Sequence, residues 1–146
     1  MKYSRRDLSL LLPAVVAASA AAQDNKQDKK MPAQAWVYED LPMKKNGLNE
    51  GRAVFDGQTH SGYPIELHMT KLAEGQMPHP PHHHPNEEVL TLRSGQLDAN
   101  FGGKITHVTA GSIIYISSNL EHSWKNPGPG PAEYFVIALG DKKEPA

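Results

Sequence analysis

The reading of the fold turns on residues 78–95, Pro78-His79-Pro80-Pro81-His82-His83-His84-Pro85-Asn86-Glu87-Glu88-Val89-Leu90-Thr91-Leu92-Arg93-Ser94-Gly95. Imidazole and carboxylate together are ligands for first-row transition metals. His82 and His84 are two residues apart, so in extended backbone their side chains share one face. Glu88 stands four further on with the same parity, and the three converge if the chain bends around its prolines. A fourth ligand has to come from a distant strand. His122, in Glu121-His122-Ser123-Trp124, is the natural candidate. His83 lies between two ligands and should point away from them. His79 precedes the group, in a solvated loop or at the mouth of the site.

Outward from this stretch the chain reads as short strands. Ile65, Leu67 and Met69 alternate with Glu66, His68 and Thr70, the period-two pattern of a half-buried strand. Glu66 and His68 share a polar face with Thr70, which could touch substrate if it faces inward and is ordinary surface if it faces outward; outward is the expectation. Further strands are expected at 35–38, 88–93, 96–101, 105–109, 113–116, 121–125 and 134–139. Gly102-Gly103 makes the turn of a hairpin, and Pro127-Gly128-Pro129-Gly130-Pro131 can only be a loop. No repeat and no amphipathic helix appears. Many short strands at regular spacing point to a sandwich or barrel.

Both histidine stretches resemble the two motifs of the cupin superfamily. The first motif has two histidines one residue apart, a glutamate four positions after the second and a glycine seven further, met here by His82, His84, Glu88 and Gly95. Its leading glycine is displaced by one, at Gly75. The second motif is met by Gly111, His122 and Asn126, while Ser117 stands where it has proline and Asn119 where it has glycine. The short spacing from Gly95 to Gly111 resembles small single-domain cupins. The resemblance implies an all-β jelly-roll barrel (a double-stranded β-helix) over residues 35–140. It also implies one divalent transition metal per chain (manganese, iron, nickel, copper or zinc), held by His82, His84, Glu88 and His122. An open coordination position is what separates a catalytic metal from a structural one. Cupins often pair through their sheets, so a homodimer is expected, with the strand at 35–38 crossing to the partner.

Strand parity places Leu90 and Leu92 on the face of Glu88, as an apolar inner wall, and Trp124 and Asn126 on the face of His122. With His79 these are the candidate pocket residues. Trp124 serves equally well as core filler. His60 and His107 belong to a loop and an exposed strand. The parity of Tyr115 and Arg93 depends on bulges that sequence does not reveal.

The remaining composition narrows the class. The chain has 146 residues, 15 basic and 16 acidic, for a net charge of −1, without the clustered basic excess of a nucleic-acid binder. The absence of cysteine excludes disulfide scaffolds, thiolate metal sites and cysteine nucleophiles. Residues 1–22 open with Lys2, Arg5 and Arg6, continue in a short apolar run and end in Ala18-Ser19-Ala20-Ala21-Ala22. That is the pattern of a secretory signal peptide, too short to span a bilayer comfortably. Ser4-Arg5-Arg6-Asp7-Leu8 resembles the twin-arginine export signal, so a periplasmic or secreted protein with no stable membrane span is expected. Removing these residues takes away three basic and one acidic group and leaves −3. Residues 23–34 read as a polar flexible leader and 141–146 as a charged tail.

Two functions fit these features. One is a metal-dependent enzyme with dioxygenase-like, isomerase or lyase chemistry on a small oxygen-bearing molecule, in which Glu88 alternates between ligand and base. The other is a non-catalytic barrel that binds or senses a small ligand.

Overall fold

The computed structural model describes residues 30–141. The expected signal peptide at 1–22, the leader up to residue 29 and the tail from 142 lie outside the described residues. A 3-10 turn at Tyr38–Asp40 precedes nine strands: β1 Met43–Asn46, β2 Asn49–Gln58, β3 Pro64–Leu72, β4 Glu87–Ser94, β5 Gln96–Phe101, β6 Lys104–Thr109, β7 Ile113–Ile116, β8 His122–Lys125 and β9 Ala132–Leu139. They form two antiparallel sheets, one of six strands in the order β1-β2-β3-β9-β4-β7 and one of three in the order β6-β5-β8. This is the all-β jelly roll expected from the sequence.

Alternation decides which side chains meet between the sheets. In β9, Ala132, Tyr134, Val136 and Ala138 are buried, while Glu133, Phe135, Ile137 and Leu139 lie on the other face. Register carries this parity to the neighbours. Leu90 opposes Val136 and Leu92 opposes Tyr134 on one side, and Leu72 opposes Ala132 on the other. From the smaller sheet Leu97, Ala99 and Trp124 complete a single apolar cluster. Each fully buried leucine contributes about 1.5–3 kcal/mol through removal from water.

The N-terminal part departs from expectation. Residues 35–38 form no strand, so no strand is there to cross to a partner. This segment instead lies over the outer face of the large sheet. Trp36 packs on Phe55 at 4.9 Å, Arg52 lies 4.6 Å over the Tyr38 ring, and Leu41 is buried. The longest strand, β2, has no alternating pattern to announce it. It contains two glycines and a bulge between Ala53 and Phe55, and its order comes from pairing with β3. Arg93 and Tyr115 both face outward, Arg93 toward Glu133 at 3.7 Å and Tyr115 donating to Glu87 Oε1 at 2.8 Å.

The motif glycines are turn residues. Gly75, Gly95 and Gly111 have φ of +74°, +76° and +89°, a region that side chains disfavour. Asn119, at the position where the motif has glycine, takes φ +58°. Asparagine tolerates the left-handed region better than other side chains do, so this turn survives the substitution. Asn119 N then donates to His84 O at 2.8 Å, which ties the turn to the histidine stretch.

Candidate metal centre

The proline-rich segment is stapled to β8 by backbone pairing. His82 N donates to His122 O at 3.1 Å, and His122 N donates to His82 O at 2.9 Å. Directly opposed residues of an antiparallel pair project on one face, so this bridge sets the two imidazoles side by side, with ring centroids 4.5 Å apart. His84 follows two residues on, 4.9 Å from His122. The ligand-capable nitrogens of His82, His84 and His122 all lie within 4.8 Å of one another. Glu88, on β4, closes a further side, with Oε1 3.3 Å from His84 Nε2 and Oε2 3.8 Å from His122 Nε2.

Hydrogen bonds fix the tautomers of two rings. His84 Nδ1 donates to Asn86 O at 2.9 Å, and His122 Nδ1 donates to Leu120 O at 2.8 Å. A carbonyl only accepts, so each Nδ1 carries the proton and each Nε2 keeps its lone pair toward the cluster. Among the described residues, four buried side-chain polar atoms have no hydrogen-bond partner: His82 Nδ1, His84 Nε2, His122 Nε2 and Glu88 Oε2. Leaving several buried polar groups unsatisfied is costly, and such groups call for a further partner such as an ion. A divalent cation would satisfy all four at once, so the donor set fits one.

Electrostatics prepares the same site. Burial and the neighbouring imidazoles push His82 from 6.5 down to about 4, and burial lowers His122 as well. Both rings are therefore neutral and available as ligands at neutral pH. Burial raises Glu88, opposed by His84 and reinforced by Glu66. The imidazoles have a consequence for stability. An unfolded chain protonates His82 near 6.5, the folded one only near 4, so unfolding takes up protons in that window and stability rises with pH across it. His122 adds to this slope, whereas the raised Glu88 opposes it above the ordinary carboxyl range. Metal-free protein should lose stability as pH falls from 6.5 to 4, and His82→Gln should flatten that slope in thermal unfolding with chelator present. An unchanged slope in the variant would remove His82 from this account.

The other candidates separate. Trp124 stacks on His122 at 5.7 Å and 18°, and its Nε1 donates to Tyr134 at 2.8 Å, so it is wall and core at once. Burial pushes Tyr134 up to about 12, which keeps it a neutral acceptor for that bond. His79 is exposed and edge-on to His82 at 4.0 Å, beside an open groove bordered by Leu48, Met77 and Pro81. His83 is exposed. Leu90 and Leu92 do face inward, but both are wholly buried in the packed core, so they floor the interior and offer no surface to a ligand. Asn126 carries no polar atom to the site. Its Nδ2 donates to Leu72 O and Gly130 O, and its Oδ1 accepts from Gly128 N, all at 2.8–3.0 Å, which closes the proline-glycine loop.

Glu66 and His68 are the residues that sequence parity misplaced. Glu66 shares a register row with Ala138 and Glu88, and His68 shares one with Val136 and Leu90. Opposed residues project alike, so both face inward. The apolar alternation of Ile65, Leu67 and Met69 misled because the outer face of β3 is also covered. Leu67 lies opposite Phe55, and Trp36 packs on Phe55. Leu72, wholly buried and of the same parity as Glu66 and His68, was the available signal.

Residues 68–138 match the family model described as Cupin domain. Among solved structures, an RmlC-like cupin from Shewanella frigidimarina superposes with a TM-score of 0.64 at 14% identity, over 80% of this chain and 97% of that one. The polyketide cyclase RemF from Streptomyces resistomycificus gives 0.61 at 14% identity, over 78% and 83%. A predicted oxalate decarboxylase from Thermotoga maritima gives 0.61 at 16% identity, over 74% and 100%. No curated protein matches the sequence. The matches support the cupin superfamily and its fold. Among the described residues no helix is long and apolar enough to cross a membrane.

Proposed function

We propose that this cupin-fold chain is an exported metal-dependent enzyme acting on a small oxygen-bearing organic molecule, by dioxygenase-like, isomerase or lyase chemistry. The observation that carries the reading is the convergence of four buried, partnerless donor atoms from His82, His84, His122 and Glu88. A bound divalent ion supplies Lewis-acid polarisation of a substrate oxygen and, where redox-active, a route to dioxygen chemistry. The chain's own part is positional. The Asn86 and Leu120 carbonyls hold two rings with Nε2 inward, and burial holds His82 and His122 neutral. Glu88 has a raised pKa and lies close to two of the imidazoles, which suits a group that alternates between ligand and base. Cupin-fold neighbours of this chain include proteins whose names denote enzymes, a polyketide cyclase and a predicted decarboxylase.

The test is turnover at full metal occupancy. Protein loaded in turn with iron, manganese, nickel, copper and zinc is assayed for oxygen uptake with catechol, a flavonol and a β-diketone, and for product by mass spectrometry with 2-oxo and hydroxy acids. Turnover with at least one pairing is expected. Ligand binding without product across the panel would identify a binding or sensing barrel instead. The proposal includes export through residues 1–22, read from Arg5-Arg6 and the apolar run behind them, and a homodimer. Edge strand β7 exposes Ile113 and Tyr115, at 70% and 57%, as a surface for pairing; light scattering at twice the chain mass is the check.

A further inference from the structure

We propose that Glu66 and His68 form a ligand-facing wall beside the metal centre, selecting molecules that carry uncharged hydroxyl groups beyond their metal-binding oxygens. This rests on the metal-centre reading above. Three features of β3 support it.

The first is register. Asp56, Glu66, Ala138 and Glu88 make one row across β2, β3, β9 and β4. Neighbouring strands lie about 4.8 Å apart. Only the methyl group of Ala138 stands between Glu66 and Glu88 in the row.

The second is access. The His68 row becomes wholly buried at Val136 and Leu90, and the Glu66 row is buried at Ala138, yet the side chains of Glu66 and His68 remain 27% and 36% exposed. The smaller sheet has three strands against six, and β3 makes its main contacts with β2 and β9. The inner face of β3 is therefore where the interior opens to solvent, within reach of the metal-binding side of Glu88.

The third is chemistry. Glu66 Oε1 lies 3.3 Å from His68 Nδ1, so the pair is held in one arrangement. With Asp56 on the same row, the face is rich in carboxylate oxygen. Such a face accepts hydrogen bonds from hydroxyl donors and repels a second anionic group. A molecule that chelates an ion at one end and presents hydroxyls at the other fits both parts.

Gluconate and glycolate separate the parts experimentally. Both carry the α-hydroxycarboxylate that chelates a divalent ion, but only gluconate adds hydroxyls. Calorimetry on Zn2+-loaded protein is expected to show gluconate binding about tenfold tighter than glycolate. Glu66→Met and His68→Leu, each similar in bulk and without an acceptor, should bring the two affinities within about twofold. Zinc stoichiometry and glycolate affinity should stay unchanged, which reports an intact fold and centre. Loaded wild type without the preference, or a preference that survives both substitutions, overturns this inference alone. Wild type that takes up no zinc overturns the metal-centre reading and this one with it.

Discussion

His122→Ala lowers affinity for a divalent transition metal by more than about 100-fold, beyond the roughly 10–100-fold that loss of an outer-shell partner costs. His122 is 1% exposed. Its Nδ1 donates to Leu120 O, which leaves Nε2 committed to the cluster, 3.8 Å from Glu88 Oε2. The substitution removes one of three imidazoles and also leaves Glu88 Oε2 and two remaining histidine nitrogens buried with no ion bound tightly to satisfy them. Calorimetric titration with Zn2+ or Ni2+ reads the loss, and circular dichroism confirms that the barrel persists. His122→Gln, which fills more of the space, separates lost ligation from lost packing and should bind metal as weakly. Unchanged affinity in both variants would mean that His122 is a buried core histidine.

The second large effect falls on stability. Gly95 has φ +76°, and a Cβ placed there would stand 2.6 Å from Pro131 O and 2.7 Å from Ala132 Cα. Both are backbone atoms, so no side-chain rotation relieves the contact. An L side chain in the left-handed region costs about 1–2 kcal/mol by itself. With the collision against β9 added, Gly95→Ala should destabilise by roughly 3 kcal/mol or more. Gly111→Ala is the control: its φ is +89°, but a Cβ there would meet nothing within 4 Å, so only the conformational cost of about 1–2 kcal/mol is expected. Urea unfolding of the two variants gives the difference directly. Equal losses would show that the turn, and not its approach to β9, is what requires glycine.

The spatial grouping of His82, His84, Glu88 and His122 was legible because its signal is local twice over. His82, His84 and Glu88 are fixed by spacing, and His122 stands in a second stretch of recognisable spacing. The strands of the central sheets were legible for the same reason: 96–101 and 113–116 are bounded by turns and alternate in the expected way. What the sequence hides is long-range. β2 is ordered by its pairing with β3 and by a bulge, and neither leaves a periodic trace. The orientation of β3 could not be read because its outer face is covered as well, by the segment around Trp36. Parity alone then assigns the apolar set inward and Glu66 and His68 outward, the reverse of what their register shows. Asn126 shows the reverse case. Its motif position suggests the pocket, yet three backbone hydrogen bonds show that it holds a loop.

The most direct test of the metal centre is elemental mass spectrometry on protein recovered from its own host, beside a His84→Ala variant prepared in the same way. Near-stoichiometric iron, manganese, nickel, copper or zinc in the wild type, absent from the variant, is the predicted result. An absence of metal from both, or an equal amount in both, would contradict a centre built from His82, His84, His122 and Glu88.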